Sequence, residues 1–584
     1  MMELITTGAS HATSHATSEA KRERSVKRAG KGSLERVGDV NVLRVSGSFY
    51  EMGRQHGELL SREIAEGTIP YYRKIVEKLM GKSALGPLSP LVWSGLQTTL
   101  GRRVARQLPA FARDTIRGIA EGSGLDPQIF MDGCTMPDSM MWVAARLMQL
   151  RGHGPAVAHR IALGLGCTSA VAWGDATKDG ALLHARNFDY HGVSTWPKTK
   201  TVIFHEPDEG QRYVSVAAAG VGLGGITAMN EAGLSLTVHQ HMFTDRTALG
   251  GTPIGCVGDV VMREAKNLDD AQRILESHTP VGCWTYVVTD GNAREVLCYE
   301  ENPERSVAKR VREEGTFGYA NIYLDEELGK SEIDLYGSYW RHNLGRHRRA
   351  NELLEERRGA LDPQAMAEIL GDSGDPRCRV RDSIAMVMTV GSVVFRPEDG
   401  TVWVGTGEAP TSHGAFVPFS LEAMGHAPER GTLEVTPAPE AGAAFESFRR
   451  AYVAYLDEGD VRGASEHARD ACAAQPSEPL YHALCGLFAV ELREARDAEA
   501  AFDRALELGH PDSERLASFH LWRGRARDLA GRREAAKDDY RRSLGYHADP
   551  QVRAAAKKNL RRPFTERAAR KVHVDVSMVD VVSP

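Results

Sequence analysis

Residues 164–190 read GLGCTSAVAWGDATKDGALLHARNFDY, and this stretch decides how the rest of the chain is read. Asp179-Gly180 is a turn signal between two strand-like runs, because glycine adopts the left-handed conformations that tight turns need. Folding there brings Cys167, near the start of one strand, beside Arg186 and Asp189, near the end of the next. Residues three apart on a regular strand point to opposite faces. A pocket shared by Arg186 and Asp189 therefore predicts a bulge or turn around Asn187 and Phe188.

Downstream, runs such as TKTVIFHE, GLSLTVHQ, WTYVVTD and AMVMTVGSVVFRP are short and apolar or alternating, so this region predicts sheets packed face to face. Helical patterns at 256–277 and 346–359 would cover those sheets. Upstream, VNVLRVSGS reads as a short strand, followed by helical spacing through residue 150. Residues 1–37 are rich in Ser, Thr, Ala, Lys and Arg and predict a disordered tail.

Beyond residue 440 the pattern is helical and repeats. Ala464, Ala468 and Ala471 align with Ala498, Phe502 and Ala505 at a step of 34 residues, and Ala536, Tyr540 and Ser543 form a looser third copy. This period resembles the tetratricopeptide repeat, whose arrays bind a protein partner, cap a neighbouring domain or drive self-association. The final KVHVDVSMVDVVSP alternates like a strand without an evident partner.

With 584 residues and 42% hydrophobic content, the chain can bury several cores without metal or disulfide staples. Its net charge of -6 is dispersed, which argues against nucleic acid. The eight cysteines show no CxxC pair, so neither a zinc site nor a disulfide framework is expected. Reduced thiols, no export signal and no membrane-spanning run point to a cytoplasmic protein. His239 and His241 would share a strand face, but no third ligand sits at suitable spacing, and no metal or other cofactor is predicted.

The Cys167-Thr168 pair, the TKDG of 177–180 and the RNFD of 186–189 together resemble the N-terminal-nucleophile cysteine hydrolases. That superfamily includes penicillin acyltransferase-like proteins, bile-salt hydrolases, penicillin V acylase and acid amidases. VLRVSGSFYEMGRQHGELL at 42–60 looks like the opening of the penicillin acyltransferase-like branch, and MNEAGLSLTV at 229–238 looks like its strand-turn-strand beyond the nucleophile. The resemblance covers roughly residues 38–430.

It implies an α+β fold, a four-layer αββα sandwich, with a helical pro-segment at 38–166 and a catalytic core at 167–435. Helical repeats at 440–562 and a tail at 563–584 would follow. It further implies that Cys167 cleaves the Gly166-Cys167 bond, turning a silent zymogen into an enzyme whose new α-amino group serves as base. Asp189 would then accept hydrogen bonds from that amine, and Arg186 would favour the thiolate. Asn321 would help hold the oxyanion. Gln240 falls where some relatives carry a second oxyanion asparagine, and Arg346, or Arg341 nearby, matches the late arginine.

The expected activity is opening of a non-peptide acyl amide through a Cys167 thioester. Water as acceptor makes a hydrolase; an amine acceptor, with acyl-coenzyme A as donor, makes an acyltransferase. The alternative is a non-catalytic repeat-containing adaptor with a relict hydrolase domain. A papain-like peptidase would need its cysteine at a helix start, whereas Cys167 opens a strand.

Overall fold

The computed structural model describes residues 26–72, 95, 97–149, 166–241, 244–332, 337–374, 383–437, 439–548, 550–572 and 574. Two sheets dominate the first three quarters of the chain. One has ten strands, running from Lys27–Ala29 at one edge to Arg305–Val311 at the other. The second has eight, with Thr316–Tyr319, Gly166–Ala172, Leu183–Asp189 and Thr389–Arg396 adjacent in that order.

Gly166–Ala172 is buried along its whole length, as expected of a strand covered on both faces. One cover is helical: Gly337–Glu356 and Pro363–Leu370 pack on this strand and its neighbours. On the other side, Ser169 Oγ meets Thr237 Oγ1 and His239 Nε2 of the ten-stranded sheet, each at 2.9 Å. His184 Nδ1 meets Ser235 Oγ of the same sheet at 2.9 Å. Here the seam between the sheets is polar, and side chains from both sheets satisfy one another.

The strand pair around the turn is antiparallel, with Gly166 opposite Asp189 and Ala172 opposite Leu183. A short helical turn at Gly174–Ala176 widens the connection, and Gly180 takes a φ of 77°. The bulge expected near Asn187 and Phe188 is absent from this pairing, whose register runs unbroken. The irregularity lies instead in the next strand, between Thr389 and Gly391. Register against Gly166–Ala172 keeps the return strand flat, so its neighbour absorbs the extra residue.

The disorder expected over residues 1–37 does not extend to 26–37. Lys27–Ala29 and Gly32–Val37 form a hairpin that continues into Val40–Gly47, and Ala29, Leu34 and Val37 are buried. Composition understates such strands, because ladder hydrogen bonds to neighbouring strands of the sheet order them. Val40–Gly47 runs parallel to Lys200–Pro207, pairing Asn41 with Thr201 through Gly47 with Pro207. The front segment is therefore built into the same sheet as the region after Cys167.

Its helices lock together through glycines. Phe49–Leu59 starts with a capping box made by Ser48 and Glu51. It then packs on Ala110–Ser123 so closely that a Cβ on Gly53 would lie 2.3 Å from Thr115 O, and one on Gly118 2.2 Å from Tyr50 O. Gly118→Ala should consequently cost about 1–3 kcal/mol by forcing the backbones apart. Denaturant titration checks this, and an unchanged midpoint would show that the helices can separate freely.

The C-terminal region is helical from Pro439–Tyr452 to Glu566–Ala569, each longer helix packing on the next. Its nine alignment positions at 464, 468, 471, 498, 502, 505, 536, 540 and 543 are all buried. Close approach repeats too: a Cβ on Gly486 would lie 2.6 Å from the Phe502 ring, and one on Gly524 2.6 Å from the Tyr540 ring. The tail expected at 563–584 is partly packed, since Phe564, Val572 and Val574 are buried; residues 573 and 575–584 lie outside the described residues. Among the described residues no helix is long and apolar enough to cross a membrane.

Several histidines are sealed in these cores. Gly220 N–H donates to His56 Nε2 at 2.9 Å, so that nitrogen must stay unprotonated. Burial lowers His56 and His191 to about 4, and His184 and His205 to about 3, from 6.5. The unfolded chain binds protons at these sites as pH falls below 6.5 while the folded one does not. Stability should then drop between pH 6.5 and about 4, each buried imidazole adding a slope of about 1.4 kcal/mol per pH unit. Urea midpoints compared at pH 7.5 and 5 test this; a flat profile would mean the imidazoles are hydrated.

Candidate active site

Cys167 sits one residue into its strand, and the two faces of that strand divide the site. Cys167, Ser169, Arg186 and Phe188 share the face turned to the ten-stranded sheet. Thr168, Asn187 and Asp189 share the face turned to the helices. Arg186 and Asp189 thus approach the Gly166-Cys167 peptide from opposite sides, and no distorted strand is needed.

On the sheet side, Arg186 Nη2 donates to Cys167 Sγ at 3.3 Å and to the Val238 carbonyl at 2.8 Å. Its guanidinium lies over the Phe188 ring, 4.9 Å from the centroid. On the helix side, Asp189 Oδ1 accepts from Thr389 Oγ1 at 2.6 Å, while buried Oδ2 has no hydrogen-bond partner. A Cβ on Gly166 would lie 3.0 Å from that Oδ2 and 3.2 Å from Arg346 Nη2. A larger residue at 166 would press on both charged groups and require them to shift by a few tenths of an ångström.

Arg346, from the helix Gly337–Glu356, is fully buried and joins the remaining parts. Nη1 donates to the Cys167 carbonyl at 2.8 Å and to Thr168 Oγ1 at 2.9 Å. Nη2 donates to Asn321 Oδ1 at 3.1 Å and to Asn343 Oδ1 at 2.8 Å. The side chain of Arg341, the alternative, lies outside the described residues.

Asn321 adopts a φ of 36°, a left-handed conformation that asparagine tolerates. Its Oδ1 accepts from Cys167 N–H at 2.6 Å, and its Nδ2 donates to the Gln240 carbonyl at 2.8 Å. In the uncut chain Asn321 therefore offers its oxygen to Cys167, and its amide hydrogens point to Gln240. Gln240 contributes this carbonyl and also lines the adjoining cavity.

Burial pushes the Cys167 thiol up, against the opposing pull of Arg186, so before any cleavage the group is a neutral thiol. Burial likewise raises the Asp189 carboxyl, with Arg346 as the strongest opposing influence. His239 stays with Ser169 and edge-on to Tyr319, while His241 bonds Glu332 and Thr285. Among the described residues no group of three His, Cys, Asp or Glu side chains is placed to hold a metal.

A cavity of about 120 Å³ opens beside Cys167. Its walls are mainly apolar and include Tyr72 and Pro137 of the front segment, with Phe188, Tyr190, Trp196 and Trp284 beyond Cys167. Asp138, also from the front segment, fixes one wall by accepting from Ile254 N at 2.8 Å and Trp284 Nε1 at 3.2 Å. Thr389, Asn343 and Asp138 belong to this arrangement without standing out in the sequence; only Asn343, three residues before Arg346 on one helix, has a readable spacing.

Residues 176–409 match the family model described as acyl-coenzyme A:6-aminopenicillanic acid acyl-transferase. Over these residues, less than half of the chain, the protein is similar to that acyl-transferase family. The matched part of the acyltransferase-like domain begins after Cys167 and includes Arg186, Asp189, Gln240, Asn321 and Arg346. An uncharacterized protein of Archaeoglobus fulgidus is 30% identical over 266 residues, 44% of this chain and 42% of that protein. The chain thus spans less than half the length of that curated relative.

Among solved structures, a Caenorhabditis elegans N-acylethanolamine-hydrolyzing acid amidase ortholog is 16% identical, covering 40% of this chain and 93% of its own, at a TM-score of 0.29. The N-terminal domain of stress-induced protein-1 from C. elegans is 20% identical, covering 21% of this chain and 98% of its own, at a TM-score of 0.20. At such TM-scores neither likeness bears on the fold.

Proposed function

We propose that this protein is a self-processing cysteine amidohydrolase or acyltransferase acting on non-peptide acyl amides. The observation that carries the reading is the set of groups gathered around the Gly166-Cys167 peptide: the Cys167 thiol held by Arg186, the Cys167 nitrogen held by Asn321, the Cys167 carbonyl that follows held by Arg346, and Asp189 beside Gly166. Cys167 Sγ attacks the Gly166 carbonyl, the acyl group moves to sulfur as the C–N bond breaks, and water releases the thioester. The freed α-amine, with an intrinsic pKa of about 7.7–8.0, can then take the thiol proton and return it to a leaving amine. Unpartnered Asp189 Oδ2 is available to accept from the ammonium form.

The apolar cavity supports a hydrophobic acyl group. The packing of sheets and covering helices supports the four-layer αββα reading, and the recurring Gly486-Phe502 and Gly524-Tyr540 contacts support tetratricopeptide-like hairpins. Intact-mass analysis of purified wild-type protein, followed by incubation with N-acyl amides, tests the reading. The expected result is two fragments, the larger beginning at Cys167, with acyl release. A chain that stays whole from mildly acidic to neutral pH would refute the mechanism.

A further inference from the structure

Away from this site, two thiols face each other across a helical hairpin. Cys472 on Val461–Ala474 and Cys485 on Pro479–Leu492 have their sulfur atoms 3.3 Å apart, and both residues are partly exposed. The helices pack directly on one another, so the pair is held by the fold. We propose that Cys472 and Cys485 are a redox-active dithiol that closes to an intramolecular disulfide on reaction with a hydroperoxide.

The neighbourhood assigns the order of events. The hydrogen bond from Cys485, together with His482, draws the Cys472 thiol down to about 6, whereas burial pushes Cys134 and Cys283 up to about 12. With His482 beside it, Cys472 is the sulfur assigned the attack. It attacks the peroxide oxygen, the O–O bond breaks, and the alcohol or water leaves with a proton, giving a sulfenic acid on Cys472. Cys485 sulfur then attacks that sulfur and expels water. Two thiols and one hydroperoxide become one disulfide, one alcohol and one water. The sulfurs need to close from 3.3 Å to a bond length of about 2.05 Å.

The linked segment faces the catalytic domain. Gln475, Glu478, Leu480 and Tyr481 lie between the two cysteines and line a cavity of about 230 Å³. Met386 also lines this cavity, and its sulfur would lie 3.3 Å from a Cβ on Gly166. Closing the disulfide therefore stiffens one part of the lining of a cavity whose lining also includes Met386, beside Gly166.

The test is non-reducing peptide mapping of the full-length wild type after stoichiometric hydrogen peroxide. The expected product is one linked peptide pair joining Cys472 to Cys485, reversed by dithiothreitol, with slower amide exchange over 475–481. Cys485→Ser should leave a sulfenic acid on Cys472 that dimedone traps. If both thiols alkylate freely after peroxide, or Cys472 passes to sulfinic acid without a linked peptide, the proposal fails. The linkage assay requires neither cysteine to be replaced, and its outcome does not depend on whether Cys167 cleaves the chain.

Discussion

Cys167→Ala protein should remain a single 63.9-kDa chain and lose amide turnover by about 10⁴-fold or more, the scale seen when a covalent nucleophile is removed. In the proposed mechanism both losses share one cause, because the same sulfur would open the Gly166 peptide and the substrate amide. Cys167→Ser separates them from a folding defect. A serine hydroxyl fits the same space but is a weaker nucleophile without a positioned base, so slow cleavage on incubation is expected. Normal cleavage of Cys167→Ala, or full amide turnover by it, would remove Cys167 from the mechanism.

The second large effect belongs to Arg346. Arg346→Met removes the donors to the Cys167 carbonyl, Thr168, Asn321 and Asn343 at once, all inside a buried site. It also removes the strongest influence holding down the Asp189 carboxyl, which burial already raises. Asp189 should then be protonated to higher pH, so the acid limb of the activity profile moves towards alkaline pH. A fall of about 10²–10³-fold in kcat is expected, comparable to loss of one oxyanion donor. Activity is measured against pH, with near-ultraviolet circular dichroism to verify the fold. A uniform loss with an unmoved acid limb would assign Arg346 to structure alone.

What could be read from the chain beforehand follows from contact range. Cys167, Arg186 and Asp189 lie within one antiparallel pair, where a turn and strand parity suffice to place them near each other. Parity even held the correct geometry: the opposite faces that seemed to require a bulge are the arrangement that flanks Gly166. Asn321 and Arg346 come from elements far along the chain, and only the family resemblance singled them out. Thr389 and Asp138 had no such signal, since a threonine in an apolar strand and an aspartate in a helix are ordinary residues. The first strands were misjudged for a related reason. They pair with each other and with Val40–Gly47, which is itself anchored to a strand more than 150 residues away, and composition contains nothing about that anchor.

The parallel pairing of Val40–Gly47 with Lys200–Pro207 has a kinetic consequence if the chain is cut at Cys167. Folding of the uncut chain is unimolecular, and the covalent crossover limits how far those two strands can separate. After the cut, the same ladder joins two polypeptides. Denaturing them apart makes reassembly second order, dependent on dilution and in competition with aggregation of the exposed strands. The mature form would show hysteresis: heating and cooling curves that coincide for Cys167→Ala should diverge for wild type, increasingly so as protein concentration falls.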